Sequence, residues 1–207
     1  MNFELADQLS GLLRAKKLDA AIQLAEGELK KIPETDFHLI LGKDLLHLTH
    51  HVISLIQEFD HAATTMLKRK QGFIQSILRS KSKVRPAAYS CEMNGFTINY
   101  DRWFIALFSF ETYSTTDWDW LSDFYASTAG SLTITGFEDL QKAFESFHEN
   151  HRFEKPNLKP AYEVCELLVI LRLQELLREV YLKDRGEWSH IPMFVTAHDY
   201  ELIYQVN

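Results

Sequence analysis

Three observations predict an α+β fold. Apolar residues recur at helical spacing up to the low eighties, short alternating segments follow Pro86, and the charge balance reverses at the same place. Residues 1–85 hold 13 basic and 10 acidic side chains, whereas 86–207 hold 9 and 19, within a net charge of −7. The chain is therefore divided into a helical unit, 1–85, and an α+β unit, 86–207, which can still form one continuous globule. With 207 residues and 46% hydrophobic content, it can bury a substantial core without disulfides.

In the helical unit, Leu5, Leu9, Leu12 and Leu13 precede a break at Lys16-Lys17, and Leu18, Ala21, Ile22, Ala25 and Leu29 follow it. This pattern predicts a helical hairpin. From Phe37 the apolar residues Leu41, Leu45, Leu48, Val52, Leu55, Phe59, Ala62 and Met66 alternate steps of four and three, which predicts one long helix with a bend or stop between Lys68 and Gly72, or else two packed helices. Pro86 ends the helical region, because the residue before a proline is pushed out of helical geometry. The segment 89–93, then Asn94-Gly95, then 96–100 predicts a β-hairpin, and 103–113 a further strand. Segment 131–135 alternates like a short strand, and the Glu138 region opens a helix carrying Leu140, Phe144 and Phe147. Pro160 opens a longer helix whose apolar residues surround most of its circumference, so it is expected to pack on the sheet. Two strands joined near His198-Asp199 complete an expected antiparallel sheet with a C-terminal hairpin and two helices.

Residues 18–33, with Ala21, Ile22, Ala25, Leu29 and Pro33, resemble the second helix of a tetratricopeptide repeat, so 4–33 is similar to one such hairpin. An array needs about three stacked repeats, and none follows. The N-terminus has early acids and no apolar block, and the longest aliphatic run is 167–171, which predicts neither a secretion signal nor a membrane span. Cys91 and Cys165 lie outside any Cys-x-x-Cys spacing and read as reduced core residues of a cytoplasmic protein.

The segment 103–141 carries six acidic residues, no Lys or Arg, and three of the four Trp. Tryptophan and tyrosine favour partly buried anchor sites, and acids without basic neighbours stay ionised at a surface. Asp117, Trp118, Asp119, Trp120, Asp123, Phe124 and Tyr125 are thus expected to present an acidic, aromatic surface to a basic protein partner. In size, acidity and aromatic display the chain resembles the toxin-neutralising immunity proteins of bacteria, which implies a non-enzymatic, intracellular binding role. Ordinary core aromatics with solvated acids, or loop caps at Asp117 and Asp119, are the plainer readings of the same residues.

Asp44, His47, His51, Ser54, Glu58 and His61 follow one another at steps of three and four. On one long helix they share a face, where Asp44, His47 and His51 could ligate zinc or iron and serve a hydrolase or oxidase, with Glu58 or Glu145 as a base. The Glu-x-x-His spacing of Glu58 and His61 resembles the ligand motif of di-iron bundles. About 21 Å of helix separates the two clusters, too far for one dinuclear centre. A polar flank beside a core accounts for the same residues, with no cofactor. A third expectation is a helical scaffold assembling through the apolar stripe, which would allow a homodimer.

The run from Lys68 to Arg85 holds seven cations and no acid, on several helix faces and with Phe73 as its one stacking aromatic. That arrangement, beside an acidic larger half, disfavours nucleic acid as a partner. No nucleophile elbow or glycine-rich phosphate loop is present in the sequence.

Overall fold

Helix α1 (Phe3–Arg14) begins where the Asn2 side chain accepts the Leu5 N–H, and just past its end Lys16, at φ 58°, turns the chain into α2 (Leu18–Lys30). In the computed structural model, which describes residues 2–78, 84–96, 102–150 and 155–207 and only the backbone of 71–78, these helices form the expected hairpin. Leu5, Leu9 and Leu13 face Leu18, Ala21, Ala25 and Leu29, and every one of them is buried. The fold class is α+β, with a helical N-terminal part that includes one long helix.

That helix, α3, spans Thr49–Leu78 and starts twelve residues later than the apolar stripe implies. Two 3-10 turns, Asp36–Ile40 and Leu46–Leu48, replace its expected first part. Gly42, at φ 73°, reverses the backbone between them, and the Asp44 carboxylate holds the Leu46 N–H at 2.9 Å. Within α3 the buried face is Val52, Ile56, Phe59, Ala63 and Leu67, preceded by Leu48. Of the expected stripe, Leu48, Val52 and Phe59 are core, Leu55 is half-buried, Ala62 is exposed and Met66 is 52% exposed. The stripe and the buried face coincide at Leu48, Val52 and Phe59 and part beyond Phe59, where the helix turns its Ala63 and Leu67 edge inward. Gly72 interrupts nothing, and α3 passes through it.

The sheet has the order β3-β2-β1-β5-β6 and is mixed, where a purely antiparallel one was expected. β1 (Ala88–Met93) lies between β2 (Phe104–Phe110), antiparallel, and β5 (Met193–Ala197), parallel. A parallel neighbour needs a long crossover, and α4 (Glu138–Glu149) and α5 (Leu158–Lys183) lie on the connection between them. Asn94-Gly95 is not a two-residue turn, since neither residue has the positive φ of the primed turns. Asn94 instead closes the ladder: its Oδ1 accepts the Phe104 N–H at 2.7 Å and its N–H donates to the Phe104 carbonyl at 3.1 Å. Most of the expected strand 96–100 lies outside the described residues. Two short strands, β3 (Ala126–Ser127) and β4 (Leu132–Thr133), pair end to end along the outer edge of β2. The C-terminal hairpin is as expected, with β6 (Tyr204–Gln205) returning on β5 past Asp199 at φ 65°.

Alternation along the strands makes two faces. Tyr89, Cys91, Met93, Ile105, Leu107, Val195 and Ala197 join the helices in one large core, which also contains the residues of α1 and α2. α5 packs on both the hairpin and β5 and is buried almost all round. Two of its buried polar side chains serve as ties. Gln174 donates to the Val195 and Leu202 carbonyls, and Arg172 pairs with Glu26 of α2 at 2.6 Å and with Glu175 at 2.8 Å. Ala88, Phe108, Phe110 and Phe194 point to the other face of the sheet, away from the helices.

Candidate interaction surface

Residues 111–125 fold over one end of that outer face. Trp120, 7% exposed, stacks edge-on against Phe110 at 4.6 Å and against Phe194 at 5.2 Å, and Trp118 lies half-buried 5.8 Å from Phe194. Phe124 is 46% exposed and tilts over Phe108 at 5.0 Å. The Tyr125 hydroxyl donates to the Ala63 carbonyl and ties the flap to α3. The aromatic part of the expected surface therefore has a buried root, Trp120, and accessible members, Trp118 and Phe124.

The acids differ in their surroundings. Asp117, Asp119 and Asp123 are all exposed. Asp117 accepts from the Ser114 hydroxyl at 2.9 Å in a local turn, while Asp119 and Asp123 have no side-chain partner among the described residues. Glu111 pairs with Lys70 of α3, so one cation of the basic run meets the acidic segment. Arg85 contacts Asp60 at 2.8 Å and Glu187 at 3.0 Å, and the residues 79–83 between these cations lie outside the described residues.

Beyond the flap the outer face stays open. A cavity of about 570 Å³ is walled by Phe108, Trp118, Leu121 and Phe124 on one side and by residues 196–201 of the β5–β6 turn on the other, and Glu92 lies on its floor. It meets a second hollow of about 380 Å³ at Trp118, Asp199, Glu201 and Ile203, which continues to Phe3, Asp7 and Arg14 of α1. The two hollows share these four wall residues and are together called the trough below. Its charged lining is Glu92, Asp199, Glu201 and Asp7 against Arg14 and His198, and Asp119 and Asp123 stand in the flap beside it. Burial pushes the Glu92 carboxyl above its ordinary range, against the opposing pull of the Ser90 hydroxyl at 2.9 Å and of His198. The aromatic segment alone does not disclose Glu92 or the β5–β6 turn. The signal for Glu92 was the period of two along β1, which sets it opposite Tyr89, Cys91 and Met93.

The expected metal face is not formed. Because α3 begins at Thr49, Asp44 and His47 precede it, and the three residues do not share a helical face. Asp44 caps a turn, the His47 ring bonds the Thr135 hydroxyl at 3.1 Å, and His51 faces a separate groove between α3 and the 127–132 segment, with Glu58 at its other end. Glu145 and His148 are on α4, where the His148 ring contacts the Tyr162 hydroxyl at 3.1 Å and burial lowers its pKa. Among the described residues no group of three or more His, Cys, Asp or Glu side chains is placed to hold a metal ion. Cys91 and Cys165 are free and fully buried, and desolvation raises both thiols, leaving them unreactive. No helix among the described residues is long and apolar enough to cross a membrane.

Comparisons of the chain with protein-family models, with curated proteins and with solved structures found no match.

Proposed function

We propose that the protein is a non-enzymatic binding protein whose trough, framed by the 111–125 flap and the β5–β6 turn, receives a basic protein partner in the cytoplasm. The observation that carries this reading is the open end of the outer sheet face. There Trp118, Phe108 and Phe124 line a concave apolar surface beside Glu92, Asp199 and Glu201, and among the described residues no Lys or Arg lines that cavity. Aromatic anchors within an acidic rim match the composition of interfaces that steer a cationic partner into place. The free, buried thiols suit a reducing compartment. Neutralisation of a basic toxin, in the manner of immunity proteins, is one role that such a surface would serve.

Fluorescence anisotropy with a labelled decalysine peptide tests the reading. Charge reversal of the exposed Asp119, Asp123 and Glu201 to Lys is expected to weaken binding at least tenfold at low salt. Reversal of Glu34, Asp139 and Glu149, equally exposed but outside the trough, changes the net charge by the same amount and is expected to have a much smaller effect. Equal losses in the two triple variants would reduce the surface to general acidity and overturn the proposal.

A further inference from the structure

Glu92 occupies an unfavourable position that the fold itself does not use. It is half-buried on the central strand, and its one hydrogen bond among the described residues comes from Ser90, two residues away on the same face, at 2.9 Å to Oε1. It joins no ion pair among the described residues. The groups facing it are His198, Asp199, Tyr200 and Glu201 from the β5–β6 turn, while the flap and β2 contribute only Trp118, Leu121, Ser122, Phe124 and Phe108. A carboxylate withdrawn from water without a cation is costly, and a cation brought to it from outside removes that cost. Aromatic faces beside it add attraction for the same charge.

We infer that the cavity above Glu92 is an anchoring pocket for one lysine side chain of the basic partner, with Glu92 as its counter-charge and Trp118 and Phe124 as its aromatic walls. This inference rests on the binding reading above and names the group that the trough selects. Lysine suits the pocket better than arginine. Ser90 already occupies Oε1, which hinders the two-oxygen grip of a guanidinium, whereas an ammonium on a flexible four-carbon stem needs one free oxygen. Binding uses the ionised carboxylate, so affinity is level above the raised pKa of Glu92 and falls as pH drops below it.

The probe is Nα-acetyl-lysine methylamide, titrated into ¹⁵N-labelled protein at pH 7 with Nα-acetyl-arginine methylamide as comparator. Saturable shifts are expected at the Trp118 indole N–H and at the amides of Glu92 and Ala197, weaker with the arginine probe, and reduced at least tenfold in Glu92→Gln. The same variant also reports on folding. Because the folded-state pKa of Glu92 lies above its ordinary value of 4.5, its contribution to stability is present below that value and is lost as pH rises through the folded pKa. Glu92→Gln should therefore melt at a higher temperature than the native chain at pH 7, so that lost binding cannot be lost structure. Equal affinity of Glu92→Gln and the native chain for the lysine probe, or shifts that cluster away from the cavity, would overturn the pocket. Decalysine binding that stays sensitive to Asp119, Asp123 and Glu201 but not to Glu92 would remove the pocket and leave the surface reading standing. Failure of both probes would remove both.

Discussion

Trp120→Ala should destabilise the protein by about 3–5 kcal/mol, the usual range when a large buried aromatic is truncated. Trp120 is the root of the 111–125 flap. It fills the space between Phe110 and Phe194, and Tyr113 and Trp118 pack beside it at 6.0 and 6.5 Å. This small outer core of Ala88, Phe110, Trp120 and Phe194 is distinct from the large core beneath the sheet. The loss should therefore be local first, freeing the flap before the helices separate. Urea unfolding followed by circular dichroism measures the total, and amide exchange in 118–125 measures the flap. A loss below about 1 kcal/mol would mean that Trp120 does not hold the flap to the sheet. The contrast with Trp118→Ala is informative. Trp118 is half-buried at the trough wall, so its truncation should cost less stability and more binding.

Asp60→Ala is expected to cost about 2–4 kcal/mol, because it removes the acceptor shared by two neighbours and leaves the half-buried Arg85 guanidinium with only the exposed Glu187 carboxylate as its ion-pair partner. Arg85 Nη2 lies 2.8 Å and the Tyr89 hydroxyl 2.5 Å from Asp60 Oδ1, and the Asp60 and Arg85 side chains are only 15% and 19% exposed. Burial, and then the Asp60 hydrogen bond, hold the Tyr89 phenol protonated far above its ordinary range. The cluster ties α3 to the start of β1 just past the basic run. Arg85→Met in the Asp60→Ala background should recover part of the loss, since it removes a half-buried charge left with one exposed partner, Glu187. A double-mutant cycle measured in urea checks this, and strictly additive losses would show that the two residues do not act as a pair.

The helical hairpin, the helix at Glu138, the long helix near Pro160 and the C-terminal hairpin were all legible, because each rests on a local apolar period. The phase of α3 was not. Leu55, Ala62 and Met66 are as apolar as Ile56, Ala63 and Leu67, and the choice between these two overlapping stripes depends on what lies across from the helix. The early start expected for that helix failed for a related reason. Its apolar spacing survives through residues 37–48, but Gly42 at positive φ and the Asp44 cap break the backbone that would carry it. Losing that turn also separated Asp44 and His47 from His51, so the expected ligand face depended wholly on an uninterrupted helix.

At the candidate surface, the acids and aromatics of 117–125 were visible as a composition. Their division into a buried Trp120, a half-buried Trp118 and an exposed Phe124 was not, because one sheet face had to be found for them to cover. Glu92 and Glu201 lie 109 residues apart in number and line one cavity because β5, which leads into the turn that carries Glu201, is the parallel neighbour of β1. Local spacing carried most of the helices, the reversal of the charge balance and the alternation of faces along β1, β2 and β5, but not residues 37–48, which it read as helix. Tertiary structure alone decided strand order, the phase of α3 and the joining of flap, strand and turn into one trough, because these depend on burial against partners remote in the chain.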